Sequence, residues 1–172
     1  MAEKINNMRE IKIEKVVLNC GGIGDKLDKS AKLLKLITGK SPVKTASTKR
    51  IPDFGVRPGL EVGCKITLTG KEAIDLLKKL MQAKNNTFLK KQFNKGTFSF
   101  GIPEYIEIQG INFQREIGIL GLDVNVKLKR AGFSIDKKKI KSGKIPKRHQ
   151  ISKEETMEFM ERNFQIKLME KK

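Results

Sequence analysis

Apolar and polar residues alternate most regularly over residues 121–130. There Leu122, Val124, Val126 and Leu128 fall on one side and Asp123, Asn125, Lys127 and Lys129 on the other. A period of two sends these sets to opposite faces of a β-strand, one packed and one free. Residues 61–69 repeat the pattern, with Val62, Cys64, Ile66 and Leu68 against Glu61, Gly63, Lys65, Thr67 and Thr69. Residues 11–18 (IKIEKVVL) open with alternation, close on an apolar run and stop at a glycine cluster after Asn19, which predicts a third strand. Phe98, Phe100 and Ile102 alternate as well, Tyr105 is read as part of a strand, and a short strand is predicted near Val43.

The period becomes helical in three stretches. Residues 28–38 carry Ala31, Leu34 and Ile37 at helical spacing with Leu33 beside them, Asp28 as the cap and Gly39 as the stop. Residues 71–84 set Ala73, Leu76, Leu77, Leu80 and Met81 on one stripe, with Lys78, Lys79 and Lys84 off it. Ser152 and Glu155 form an S-x-x-E capping box opening a helix over about 152–164, in which Met157, Met160 and Phe164 share a face. Two-faced strands suit an antiparallel sheet, because all-parallel sheets are covered by helices on both sides. The pattern therefore predicts an α+β fold: a single domain over residues 1–172, an antiparallel sheet with helices packed on one face, and long basic loops.

The segments without a period carry the charge. Residues 41–60 mix Pro42, Pro52, Pro58, Gly55 and Gly59 with Lys44, Lys49, Arg50 and Arg57, and from Lys44 to Leu60 the only acid is Asp53. Structureless loops above about 12 residues are commonly functional or disordered. Residues 85–96 gather Lys90, Lys91 and Lys95 with no acid and read as a second contact loop. Between 127 and 153, eleven Lys/Arg, among them Lys127, Lys129, Lys137, Lys138, Lys139, Lys147 and Arg148, stand against Asp136 alone. That is +10 of the chain's +18. Like charges at such density oppose regular structure, so this segment is expected to order on phosphate.

Composition turns these local runs into a class of partner. With 37 Lys+Arg against 19 Asp+Glu in 172 residues and a pI near 10.0, the chain requires a polyanion. Nucleic acid is the default, since neutralising phosphates releases counterions, and an anionic membrane is the rival. No stretch of about 18 apolar residues spans a bilayer, and MAEKINNMRE lacks a leader's apolar run, so a soluble intracellular protein without a membrane partner is predicted. A hydrophobic fraction of 38% suffices for one modest core.

Catalytic chemistry finds no footing. Taking Gly22 and Gly24 as the start of a dinucleotide fingerprint puts its third glycine on Leu27; a tight strand-to-helix turn, with backbone N–H groups near an RNA phosphate, fits better. Thr38-Gly39-Lys40 and Thr69-Gly70-Lys71 lack the earlier glycine of a phosphate-binding loop, having Leu34 and Lys65 there. His149 lies in a basic run with no nucleophile paired to it. Cys20 and Cys64, even with His149, cannot complete a zinc site without carboxylates, and buried reduced thiols are predicted. No enzyme, cofactor or metal is expected. Phe54, within IPDFGVRPG, either stacks on a base or sugar or folds its loop back on itself. Composition alone equally permits a chromatin protein, an RNA chaperone or another basic nucleic-acid-binding module.

Longer blocks narrow this choice. MREIKIEKVVLNCGGIGD, TGKSPVKTASTKRIPDFGVRPGLEVGCKITLTG, FSFGIPEYIEIQGI, EIGILGLDVNVKLKRAGF and KIPKRHQISKEETMEFMERNF, in this order, resemble the universal large-subunit ribosomal protein family numbered five, eleven in eukaryotes. The SFGIPEYI block and the KRHQISKEE segment are similar to the archaeal and eukaryotic branch, and the length and IPDFG loop to archaeal members. The resemblance implies an α+β protein of the cytoplasmic ribosome, with a sheet and loops that hold 5S ribosomal RNA in the central protuberance beside an arm of large-subunit RNA. It implies contact with a small-subunit head protein, and a place beside a neighbouring 5S-RNA-binding ribosomal protein. Positions matching Asn19, Lys40, Phe54 and Thr67 are associated with 5S RNA; bacterial members often have Gln at the position of Lys40. Residues 48–60, with Thr48, Lys49, Arg50, Phe54 and Arg57, match the family's finger toward peptidyl-site tRNA. Lys44, Lys90 and Lys91, with the lysines and Arg148 of the basic segment, complete the expected ribosomal-RNA contacts.

Overall fold

A computed structural model describes residues 6–169. Strands β1 (Lys12–Gly21), β2 (Val43–Ala46), β3 (Glu61–Leu68), β5 (Phe93–Asn94), β6 (Thr97–Ile102) and β7 (Leu122–Lys129) form a six-stranded sheet in the order β2-β3-β1-β7-β6-β5. Every neighbouring pair is antiparallel. The period-two set of β7 faces inward as the sequence predicts, with Leu122, Val124, Val126 and Leu128 buried between β1 and β6.

The helices α1 (Asp25–Thr38) and α2 (Gly70–Ala83) pack on the same sheet face. Leu33 and Leu34 of α1 and Ala73, Leu77, Leu80 and Met81 of α2 join Val16, Leu18, Ile66, Leu68 and Val124 in one apolar cluster. Asp28 is not the cap. Helix α1 begins three residues earlier behind Gly24, whose carbonyl oxygen accepts from Leu27 and Asp28, leaving the Asp28 carboxylate to pair with Lys44 at 3.0 Å. Gly39 does close the helix, at a positive φ of 69° that favours glycine, with its N–H on Lys35.

Residues 85–96 are more regular than a loop. Strand β4 (Thr87–Leu89), a 3-10 turn at Lys90–Gln92 and β5 occupy them, because Phe88 and Phe93 are core residues that the lysine-rich composition masks. Phe88 meets Phe98 edge-on at 5.0 Å and Phe93 stacks on Phe98 at 4.4 Å, geometries favoured by the ring quadrupoles. Strand β4 pairs in parallel with β8 (Lys167–Met169), beyond the last predicted helix; neither this parallel pair nor β8 is anticipated by the sequence pattern. Tyr105 is likewise not in a strand but in a buried 3-10 turn, Tyr105–Glu107, where its hydroxyl accepts from the Gln114 N–H at 3.0 Å.

Helix α3 (Lys153–Phe164) has the predicted capping box: the Glu155 N–H donates to Ser152 Oγ at 3.1 Å and the Ser152 N–H donates to Glu155 Oε2 at 2.9 Å. Ser152→Ala should lower stability by about 1 kcal/mol, read as a fall in denaturation midpoint at constant m-value. Cys20 and Cys64 are buried, directly opposed across β1 and β3, and free. Burial, with smaller contributions from Cys64 and Asp123, pushes the Cys20 thiol up to about 12, and burial also raises Cys64. Both remain neutral thiols, as the sequence predicts. Among the described residues no helix is long and apolar enough to cross a membrane.

Candidate nucleic-acid interface

The sheet face opposite α1 and α2 carries no helix, the basic segment folds over part of it, and strand register dictates what it displays. One row across the sheet reads Lys15, Lys127, Thr97; the next reads Thr67, Val17, Asn125, Ser99; the third reads Val43, Lys65, Asn19, Asp123, Gly101. Lys65, Thr67, Ser99 and Asn125 are exposed, while Lys15, Asn19, Thr97 and Lys127 are half-buried along their stems. Apart from Val17, Val43, Gly101 and Asp123 the rows are polar or basic, groups suited to a phosphate backbone.

Two features of this face oppose the stability of the free protein. Lys15 stands directly across from Lys127, and Lys12 across from Lys129, with Glu14 beside Lys127 and Glu10 on Lys12 at 2.9 Å offsetting only part of this. Like charges opposite each other on a sheet are unfavourable, so both pairs gain from an anion laid across them. Lys15 escapes sequence reasoning because β1 is irregular between Ile13 and Lys15, where Glu14 is an extra residue and the alternation changes phase. The exposed partner Lys65 is visible in the alternation of its strand, but only the register sets it beside Asn19.

Glu14 anchors the basic segment to this structure. Its carboxylate pairs with Lys137 and lies 4.0 Å from Lys127, although only 14% of the side chain is exposed. Burial pulls its pKa upward, but hydrogen bonding to Lys137 and the charges of Lys137, Lys127 and Lys15 outweigh this and hold it below the ordinary 4.5. A depressed carboxylate contributes stability above its unfolded value and loses it as pH falls through the folded value. Amide-exchange protection over residues 131–150, corrected for the intrinsic rate at each pH, should therefore fall below about pH 4.5, and Glu14→Gln should abolish most of that dependence. Glu155 shifts in the same direction: burial raises it, but the Ser152 N–H and Arg130 prevail.

Arg130 holds the other end of the segment. Its guanidinium, 8% exposed, donates to the carbonyl oxygens of Arg9 (3.1 Å), His149 (3.3 Å) and Gln150 (3.4 Å) and to Glu155 (2.7 Å). His149 is a strut in the same assembly, its Nε2 donating to the Ala131 carbonyl oxygen at 2.9 Å. The segment between is mostly irregular, with 3-10 turns at Phe133–Ile135 and Lys147–His149. Lys138, Lys139, Lys147 and Arg148 are exposed along it.

The proline-rich loop is built on a frame of its own. The Ser47 N–H donates to Leu60 and the Gly59 N–H to Ser47, while Ile51 and Val56 exchange hydrogen bonds of 2.9 and 3.0 Å around a turn at Pro52–Phe54. Val56 is buried at 6%, and Phe54 at the tip is 71% exposed, so Val56, not Phe54, folds the loop onto itself. Thr48, Lys49, Arg50 and Arg57 surround that tip, all exposed.

The predicted residues thus divide. Asn19, Thr67 and Lys127 share the open face, and Lys129 lies at the end of the same strand. Lys44 lies in register with core-facing Cys64 and is neutralised by Asp28 and Glu61 (3.0 and 3.2 Å), which also raise its pKa. Lys40 pairs with Glu72 beyond the β2 edge, and Lys90 and Lys91 occupy the turn before β5 at the opposite edge. The glycine turn after β1 spends its Gly22 N–H on Val62 (3.1 Å). Among the described residues, no group of three or more His, Cys, Asp or Glu could hold a metal ion.

A folded basic sheet of this kind has known relatives. Residues 6–57 match the family model for ribosomal protein L5, and residues 61–159 match the model for the C-terminus of the same ribosomal family. The chain belongs to the ribosomal protein L5 family. Large ribosomal subunit protein uL5 of Sulfurisphaera tokodaii is 41% identical, covering 98% of this chain and 97% of its own. The proteins of that name from Nanoarchaeum equitans (41%; 94% and 98% covered) and Methanoregula boonei (35%; 94% and 99%) are similar over the same extent. As a member of the L5 family the chain is a ribosomal protein and not an enzyme.

Proposed function

We propose that this chain is a structural constituent of the large ribosomal subunit that holds 5S ribosomal RNA on its open sheet face and helps attach it in the central protuberance. One observation carries the reading: the helix-free face combines two opposed lysine pairs with Asn19 and Thr67. The amines neutralise phosphates, and the short polar groups fix register through ribose and phosphate contacts. Lys40, Lys90, Lys91 and the exposed lysines of the basic segment reach large-subunit RNA around this face. Phe54 and the cations beside it contact peptidyl-site tRNA.

The connection between β6 and β7 suits a protein partner instead. Residues 103–121 carry Glu104 and Glu107, with Glu116 paired to Lys32 at 3.1 Å, against Arg115 and expose Phe113 (52%) and Ile119 (67%), an apolar and weakly acidic surface on a basic chain. A basic small-subunit head protein fits it, and a neighbouring 5S-RNA-binding protein packs elsewhere on the rim. The purified chain should co-sediment stoichiometrically with large subunits. It should also bind a 5S RNA transcript more tightly than duplex DNA of equal length, with a log–log salt slope near −5 for about six neutralised phosphates. Preferential binding to DNA would sink the reading.

A further inference from the structure

Beside the sheet face lies a cleft that shares Lys127 and Lys147 with these assignments but whose aromatic wall none of them uses. It is bounded by the β5–β6 turn, the start of β6, the end of β7 and the folded-back basic segment, and has a volume of about 650 Å³. That is within the roughly 300–1,000 Å³ of pockets that accept a small organic ligand. Its walls combine an aromatic ring, Phe133, the apolar Pro146 and the amines of Lys95, Lys127, Lys144 and Lys147, with Asp136 as the one acid. Lys95, Lys144 and Lys147 are exposed and form no ion pair among the described residues.

The ring is held by a neighbouring cation. Phe133 sits on the 3-10 turn that follows Gly132, and Lys127 Nζ lies 5.6 Å from its centroid. A cation against a ring restrains it without consuming its edge or its other face. The lysine itself belongs to the sheet, in the row Lys15, Lys127, Thr97. Thr97 and Lys127 therefore line the cleft and the open face at once, so an RNA strand lying on the sheet passes the mouth of the cleft.

We propose that this cleft receives one unstacked nucleotide of the bound RNA, its base against Phe133 and its flanking phosphates on Lys95, Lys144 and Lys147. Unpaired bases in RNA are commonly recognised by splaying them onto an aromatic ring, and the amines supply the accompanying phosphate contacts. The assignment rests on the RNA-binding reading of the sheet face and adds to it the position of a single base. It also fits the fold of the basic segment: Glu14 holds Lys137, Arg130 holds His149 and Gln150, and residues 144–147 between these ties form one wall of the cleft.

The test uses the full chain with a 5S RNA transcript. Ultraviolet cross-linking followed by tryptic digestion should give a nucleotide adduct on the peptide spanning residues 131–137, at an unpaired position of the RNA. Phe133→Leu should weaken binding roughly 5- to 100-fold, the range of base–aromatic stacking, with an unchanged salt slope, and Phe133→Tyr should restore it. Lys144→Gln with Lys147→Gln should instead make the slope shallower by about 1.4 to 1.8. Wild-type affinity in Phe133→Leu, or absence of the adduct, overturns the cleft. Loss of the adduct on adding excess free nucleoside monophosphates also overturns it, since the site would then be one for free nucleotide. If Phe133→Leu does not fold, the tyrosine variant, the lysine pair and the adduct decide. Lys65→Gln separates the two levels: when it weakens binding while the cleft variants do not, the sheet reading stands and the cleft falls, and when neither responds, the RNA reading itself fails.

Discussion

Replacing Lys15, Lys65 and Lys127 together with Gln should weaken 5S RNA binding on the order of a thousandfold while leaving the free protein folded. Each side chain projects from the helix-free face, and each lost hydrogen bond to a charged phosphate is worth about 1.5 kcal/mol at the lower end of its range. Three such losses give about 4.5 kcal/mol, and 1.4 kcal/mol is a factor of ten. The salt slope should become shallower by about 2.7, one increment of about 0.9 for each phosphate released. Filter binding across a salt series reads both quantities. The melting temperature of the free chain should fall by no more than about 4 °C, because Lys65 is exposed and the half-buried Lys15 and Lys127 are like charges set opposite each other, so that losing all three costs about 1 kcal/mol. Unaltered affinity would mean that the RNA lies elsewhere on the molecule.

Arg130→Met should have the opposite profile. It removes hydrogen bonds to three carbonyl oxygens and to Glu155 from a nearly buried position, and should cost about 3 kcal/mol. For a chain of this length the melting temperature should then fall by about 6–12 °C. Arg130→Lys should recover little, because an ammonium cannot span acceptors contributed by the N-terminal segment, the basic segment and α3 at once. Calorimetry of the free protein is the direct measurement. A change confined to RNA affinity, with no loss of stability, would make Arg130 a phosphate ligand and not the hub described above.

Arg130 also illustrates where reading the chain linearly fails. In the sequence it is one of eleven cations between residues 127 and 153, indistinguishable from Lys129 or Lys138. Only the return of the N-terminal segment and of α3 makes it a buried tie. Lys137 and Lys44 changed meaning for the same reason. Both are counted as positive charge by composition, and both are partnered by carboxylates distant in sequence, Glu14 for one, Asp28 and Glu61 for the other. The lysine-rich stretch from 85 to 96 concealed two strands, because Phe88 and Phe93 are too few to register as a period yet enough to build an aromatic cluster.

What periodicity determines here is the set of faces. The alternation of residues 121–130 and 61–69 forces an inner apolar side and an outer polar side on β7 and β3, the helical stripes supply cover for the inner side, and the capping box starts α3. Charge determines the class of partner the chain favours, a polyanion. Strand order and register belong to the tertiary structure alone: they bring Asn19 between Lys65 and Asp123, set Lys15 against Lys127 and open a cleft beside Phe133. The physical reason is one of range. Alternation is a property of neighbouring residues, whereas register depends on which apolar rows interlock across strands some fifty to a hundred residues apart, and on a single extra residue, Glu14, that shifts them.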